Sequence, residues 1–426
     1  MSSVVMPLRS QRDHWTDGLM LNKHGIPLGN LRNVLHALRN APEWHGVLAY
    51  DEFAARAITR KPPPWKPPPS SDQTVEQWTD YHDARACEWF QEHEIAASTG
   101  VVGRGIQTVA REHPFHPVRD YLNALTWDGT PRLDTWLPRY FGVEDSPYVK
   151  AVGSRFLISA VARVEKPGCQ VDHMLILEGP QGRLKSSALR ELAHPWFTDR
   201  LSILGSKDAA MEVAGVWLIE LSELDALTKA TNPAIKSFIT RRHDRFRPPY
   251  GKHVVDQPRQ CVFAGSINPT GGYLKDPTGA RRFWPVACGV IDLKALARDR
   301  DQLWAEALVR FRDGAVWWLE TPELQALATA EQAARFEVDA WAETVSNWLL
   351  GRDDVSVGEV LLGALGVPQE SWSQTAQNRV AAILALTGFQ RYRPGKTGQP
   401  RTPRYRREAV NPQGNLGKVS FNKKSV

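Results

Sequence analysis

Along the first 110 residues, apolar positions recur at helical spacing. In Asn30–Arg39 (NLRNVLHALR), Leu31, Val34, Leu35 and Leu38 fall at i, i+3, i+4 and i+7, which predicts an amphipathic helix with Asn30 as its N-cap. The run Lys61-Pro-Pro-Pro-Trp-Lys-Pro-Pro-Pro-Ser70 interrupts this pattern. Proline fixes φ and favours extended backbone, so no helix runs through it, and a linker or surface loop is expected there. From Ser71 to Val109 a polar, Trp-, Glu- and His-rich helical pattern resumes. Residues 1–110 therefore read as a small helical N-terminal unit with a Pro-rich linker near 61–70.

Helical periodicity continues through residues 120–165, and then the period changes. Short apolar runs at His173–Leu177, Val216–Ile219 and Cys261–Ala264 stand between turns and helical stretches, as buried strands of an α/β sheet do. Beyond Arg300, the segments Leu303–Phe311, Thr321–Phe336 and Ala340–Leu350 read as helices. The last segments, Ser356–Leu365, Ser373–Thr387 and a basic tail containing Tyr392 and Tyr405, have a helix, helix, strand-like order that suits a small winged-helix-like module. The expected division is 1–110, a core with a helical lead-in over 111–335, and a module with a basic tail over 336–426.

Composition sharpens this picture. The chain has 426 residues, 42% hydrophobic and 23% charged, values of an ordinary globular protein with room for several domains. No apolar stretch approaches the roughly 18 residues of a membrane span, and the N-terminus lacks the apolar core of a secretion signal. A cytoplasmic protein without a membrane partner is expected. The net charge is only +6, but the segment from Arg391 onward carries ten basic residues against Glu408 alone. Phosphate binding by this tail, with Tyr392 and Tyr405 among its arginines, is favoured over a disordered solubilising role. The four cysteines, Cys87, Cys169, Cys261 and Cys288, lie far apart, which argues against a zinc site or a disulfide framework. Tryptophan is abundant, and Trp127, Trp136, Trp317 and Trp318 sit among apolar residues, where a core role is expected.

The most informative segment is Leu175-Ile-Leu-Glu-Gly-Pro-Gln-Gly-Arg-Leu-Lys-Ser-Ser-Ala-Leu189. An apolar strand runs into a glycine-containing turn, then Lys-Ser, then a helix, which is the context of a Walker A phosphate loop. Gly179, Pro180, Gln181, Gly182, Arg183, Leu184, Lys185, Ser186 and Ser187 would cradle the phosphates of ATP. Lys185 would reach the β and γ oxygens and Ser186 would hold Mg²⁺. Leu184 stands where the pattern has glycine; a side chain there crowds the nucleotide, or is tolerated if its φ is negative.

About thirty residues on, Gly215–Asp225 is an apolar strand ending in carboxylates. Glu223 is expected to polarise the attacking water and to share the metal with Ser186, with Glu220 as its acidic neighbour. Glu220 equally suits a solvent-facing or Arg-paired role. A third strand ends in Asn268, an amide placed to position water, although Asn-Pro is also a turn opening. Arg281 and Arg282, on a glycine-containing turn, suit an arginine contributed across a subunit interface, or a pair of surface ion-pair donors. Lys236, Arg241, Arg242 and Arg245 are interleaved with Phe238 and Phe246. With Lys252 and His253 beyond a Tyr-Gly turn, they offer cations and aromatic faces for single-stranded DNA, or form an ordinary basic surface. Arg404 and Arg406 are the tail's candidate DNA contacts.

The order of these parts resembles ring-forming AAA+ ATPases and superfamily 3 helicases. The passages His116–Leu122, Trp127–Asp134, Trp217–Leu227, Asp244–Gly251, Pro258–Phe263 and Gly279–Pro285 resemble more closely the virulence-associated E family of phage and satellite replication proteins. This resemblance covers residues 110–335. It implies an α/β P-loop ATPase of primase-helicase type that uses ATP and Mg²⁺. It further implies single-stranded or forked DNA as substrate, a homo-oligomeric ring, expected to be a hexamer, and a separate primase or replication initiator as partner. Carried onto this chain, Lys185 and Ser186 match Walker A, Glu223 or Glu220 the Walker B carboxylate, Asn268 the sensor, and Arg281 or Arg282 the finger. The competing expectation is a non-hydrolysing, nucleotide-gated DNA-binding assembly protein. A nucleotide-sensing regulator of a protein partner is a third.

Overall fold

The computed structural model describes residues 14–66, 76–201, 207–222, 233–246, 254–269, 271–274, 280–336, 339–393 and 403–407. Two compact units result, Met1–Phe336 and Glu337–Val426.

The helix Leu31–Asn40 forms where the periodicity places it, and the Asn30 side chain accepts from the Asn33 amide at 2.9 Å. Its buried face joins Trp15, Trp44, Trp78, Trp89 and Phe90 in a tryptophan-rich core. The expectation of a purely helical N-terminal unit is not met. Leu48–Asp51 (β1) and Arg56–Thr59 (β2) form an antiparallel pair, and Glu76–Gln77 (β3) and Pro114–Phe115 (β4) complete a sheet of order β3-β2-β1-β4. Strands of two to four residues are too short for alternation to distinguish them from loop. The same sheet crosses the expected boundary at 110, because Tyr50 and Asp51 pair in parallel with Pro114 and Phe115.

The centre of the first unit is a five-stranded, all-parallel sheet. Its strands are Met174–Glu178 (β5), Phe197–Thr198 (β6), Leu218–Ser222 (β7), Val262–Ile267 (β10) and Phe283–Ala287 (β11), in the order β11-β5-β10-β7-β6. Every residue of β5 and β10 is buried, as in strands covered on both faces. The helix Pro147–Glu165 is buried on nearly all sides. It opens on Ser146, which accepts from the Val149 amide at 3.1 Å, with proline in the first turn. Tryptophans staple the layers. Trp217 and Trp304 lie 4.1 Å apart between ring centres, and their indole N–H groups donate to the Ala160 and Leu192 carbonyls at 2.9 and 2.8 Å. Trp136 is core as expected, Trp127 and Trp317 are half-buried, and Trp318 is 49% exposed, so it is not a core residue.

His243–Phe246 (β8) and Val255–Pro258 (β9) form a separate antiparallel ribbon. Its base is tied down by Arg259, whose guanidinium bridges the Asp244 carboxylate and the Phe238 carbonyl in a fully buried setting.

The second unit strings together the helix Ala342–Trp348, Asp354–Ser356 (β12), the helices Val357–Gly363 and Gln374–Leu386, then Phe389–Tyr392 (β13) and Arg404–Arg407 (β14). The strands form an antiparallel sheet of order β12-β14-β13, packed on Val345, Val360, Val380, Ile383 and Leu384. Among the described residues, no helix is long and apolar enough to cross a membrane.

Candidate nucleotide site

The loop between β5 and the helix Lys185–Ala193 lies at the C-terminal edge of the parallel sheet. Gly179 has φ 149° and Gly182 φ 82°, both outside the range that suits a side chain. Leu184 adopts φ 62°, ψ 21°, so the condition of a negative φ is not fulfilled. The left-handed residue that introduces the helix is a leucine here, and its side chain is 48% exposed. An L-residue in this conformation costs about 1 kcal/mol, and the loop carries that strain.

The next residue turns inward. Lys185 is buried, and its ammonium donates to the carbonyls of Gly179 at 2.6 Å and Pro180 at 2.9 Å, so the loop folds round its own lysine. Burial holds the Lys185 pKa below its ordinary value, and burial beside Glu178 pushes the neighbouring Cys288 thiol up to about 12. Ser186 donates its hydroxyl to Glu220 Oε1 at 2.6 Å, and Ser266 donates to the same oxygen. Three strands thus converge: β5 through its loop, β7 through Glu220, and β10 through Ser266. Glu220 is 1% exposed, and its Oε2 has no hydrogen-bond partner among the described residues.

Asn268 follows β10 and is exposed. Since Ile267 pairs with Glu178, Asn268 stands level with Gly179 at the same edge of the sheet. Behind the loop, Glu178 accepts from Tyr273 at 2.8 Å and from Nε and Nη2 of Arg335 at 2.6 and 2.7 Å. The backbone carbonyl of Arg335 also accepts from the Tyr273 and Leu274 amides. This knot ties the base of the loop to the segment following β10.

Arg281 and Arg282 lie at the opposite edge. Phe283 pairs in parallel with Met174, which puts Arg282 level with His173, about 17 Å along the strand from Glu178. They line a concavity of about 430 Å³ with His173, Trp284 and Trp318, and Arg282 Nε is buried without a partner among the described residues. Neither arginine serves the phosphate loop of its own chain.

The basic residues divide. Arg242 donates to the Gly168 carbonyl at 2.8 Å, Arg241 lies over the Phe238 ring at 5.3 Å, and the exposed Arg245 faces Asp256 across the ribbon at 3.7 Å. Arg404 and Arg406, the tail's expected phosphate contacts, are both ion-paired within the unit. Arg404 bridges Asp354 and Glu359, and Arg406 reaches Asp354 at 3.2 Å and Tyr392 at 3.3 Å, so both pin β14 to its neighbours. Glu223, Lys252 and His253 lie outside the described residues, as does the side chain of Lys236.

Residues 122–337 match the family described as the virulence-associated protein E-like domain. The chain belongs to this family. The match spans half of the sequence and holds the phosphate loop, Glu220, Ser266, Asn268 and the two arginines. No curated protein matches this virulence-associated protein E-like chain. Among solved structures, the apo A form of the NrS-1 C-terminal region is similar at 12% identity, over 88% of this chain and 98% of that one. The TM-score is 0.43.

Two participants escaped the sequence. Ser266 carries one signal in the sequence: a hydroxyl two residues before a strand's polar end, here Asn268, faces the same side as that end. Arg335 stands 157 residues from Glu178 and carries no local signal.

Proposed function

We propose that this chain is an ATP- and Mg²⁺-dependent DNA translocase or helicase built on an AAA+ core, serving the replication of a phage or other mobile element in the cytoplasm of a bacterial host. The observation that carries this is the convergence of Ser186, Glu220 and Ser266 beside a phosphate loop. The strand order supports the AAA+ assignment, because β10 lies between the loop strand and the acidic strand and brings its own polar end to the site.

The residues fit the metal. A serine hydroxyl and a carboxylate with one uncommitted oxygen are hard oxygen donors, and Mg²⁺ takes few protein ligands beside phosphate and water. Among the described residues, no three His, Cys, Asp or Glu side chains gather into a larger metal cage. Ser186 and Glu220, with Glu223, would hold Mg²⁺, which would supply positive charge against the charge that develops in phosphoryl transfer. Lys185, freed from the loop carbonyls, would take a phosphate oxygen, and the Lys185–Ala193 helix would direct its amide groups at the same anion. Glu220 would orient Ser186, Glu223 would polarise water, and Asn268 would position it.

Arg281 or Arg282 would complete the site of a neighbouring copy. Their distance from their own loop supports a ring, taken as a hexamer. Arg241 and Arg245, with Lys236, Lys252 and His253, would line the path of single-stranded or forked DNA. The helix, strand, helix, helix, strand, strand order of the second unit supports a winged-helix DNA module. A separate primase or initiator would supply the starting complex.

The strained Leu184 and the carbonyl-bound Lys185 favour a second reading, an assembly protein that binds nucleotide without turning it over. ATP hydrolysis with Mg²⁺, with and without single-stranded DNA, separates the two. Turnover stimulated by DNA and lost in Lys185→Ala supports the motor. Nucleotide binding without turnover in the wild type supports the assembly protein.

A further inference from the structure

The helix Gln374–Leu386 exposes a side with no charge on it. Gln374, Thr375, Asn378 and Ala385 are exposed, Ala381 and Ala382 half-buried, and Val380, Ile383 and Leu384 face the core. The helix's one charged residue, Arg379, turns to Asp339 and lies over the Trp341 ring at 3.9 Å. A solvated helix face ordinarily mixes both signs of charge. A face of amides, a hydroxyl and methyl groups instead allows close approach by a partner that is itself read through hydrogen bonds.

Cations flank this face. Arg391 and Arg393, on and just after β13, are exposed and have no ion-pair partner among the described residues. Arg391 and Tyr405 line one concave surface of about 440 Å³ together with Gln374, Gln377 and Asn378. The acid on that surface, Glu359, is neutralised by Arg404 and bonded to the Ser356 amide at 2.6 Å. The amides are also held in place. Gln374 donates to Asn378 Oδ1 at 3.0 Å, which leaves the Gln374 oxygen and the Asn378 amino group as an adjacent acceptor and donor. That pair complements the donor and acceptor that adenine presents in the major groove, and alanine methyl groups suit the thymine methyl.

We propose that the second unit reads duplex DNA, with the helix Gln374–Leu386 in the major groove and Arg391 and Arg393 on the flanking phosphates. This rests on the winged-helix reading above and deepens it, since it assigns a double-stranded ligand and a reading face distinct from Arg404 and Arg406. At 13 residues the helix is about 20 Å long, and the groove, about 12 Å wide, admits it.

The test uses the full chain without nucleotide, so it does not depend on whether the phosphate loop turns over; ATP turnover of the wild type reports on that separately. A pool of randomised short duplexes is selected on the wild type. The selected duplex, its single strand, and the same sequence as double-stranded RNA are then titrated by fluorescence anisotropy. The expected result is a preferred duplex containing A·T pairs, bound better than its single strand or the RNA. Gln374→Ala and Asn378→Ala, surface changes that leave the fold intact by circular dichroism, should each cut the preference at one base pair about tenfold. Arg391→Ala with Arg393→Ala should weaken all duplexes alike and flatten the salt dependence by about two ions. Equal binding of single strand or RNA would overturn the proposal. So would a base preference untouched by both amide variants, or a face that binds only a protein.

Discussion

Glu220→Gln separates two effects of opposite sign. The carboxylate is 1% exposed, one oxygen accepts from Ser186 and Ser266, and the other has no partner among the described residues. The amide keeps the shape and the accepting oxygen. It turns two charge-assisted hydrogen bonds into neutral ones, a loss of about 1 kcal/mol each. It also leaves an amino group without an acceptor, about 1–2 kcal/mol more. Against this, the variant no longer buries a charge, whose effective desolvation penalty is several kcal/mol. Without ligand the net is a gain of about 1 kcal/mol, on the order of 2 °C in Tm for a unit of this size. With Mg·ATP at about 100 times its Kd, the wild type should gain about 2.7 kcal/mol by mass action, and the variant little. The order of stability should therefore invert when ligand is added. Thermal melting of both proteins with and without Mg·ATP reads this directly. A variant that melts lower in both conditions yet binds Mg·ATP as the wild type does would refute the argument and reduce Glu220 to an anchor for two hydroxyls.

Leu184→Gly removes about 1 kcal/mol of left-handed strain but gains a similar chain entropy in the unfolded state, so melting should shift by less than about 0.5 kcal/mol. Because the side chain projects outward, nucleotide affinity by calorimetry should stay within a few-fold; a tenfold gain would show that Leu184 crowds the ligand. His173 is buried, and burial pulls its pKa down to about 3. The unfolded chain takes up this proton near pH 6.5 and the folded one does not, so stability falls by about 1.4 kcal/mol per unit as pH drops from about 6.5 to about 3. His173→Phe, which preserves the 3.6 Å stack on Trp284, should shrink the drop between pH 7 and pH 5 by about 2 kcal/mol in urea melts; an unchanged drop would refute the assignment.

The phosphate loop was legible because its chemistry is local. Two glycines, a lysine and a serine within eight residues specify a turn and a helix start. The role of Glu220 was half legible. Spacing put two acids, Glu220 and Glu223, near the strand end, and only the fold shows that Glu220 meets Ser186. The small N-terminal sheet was hidden because four-residue strands such as Arg56–Thr59 are held by partners rather than by their own pattern. Arg404 and Arg406 looked like free cations because charge counts along a tail ignore Asp354, fifty residues away, which engages both.

The knot at Arg335 decides where the chain can be shortened. Arg335 lies one residue before the end of the first unit, outside every strand of the sheet, and an expression boundary drawn from the strands alone would discard it. A fragment ending at residue 330 would leave the Glu178 carboxylate buried at the root of the phosphate loop, with Tyr273 as its remaining donor among the described residues, a defect of about 3–5 kcal/mol for a broken buried pair. A core that keeps this knot therefore runs at least through Phe336.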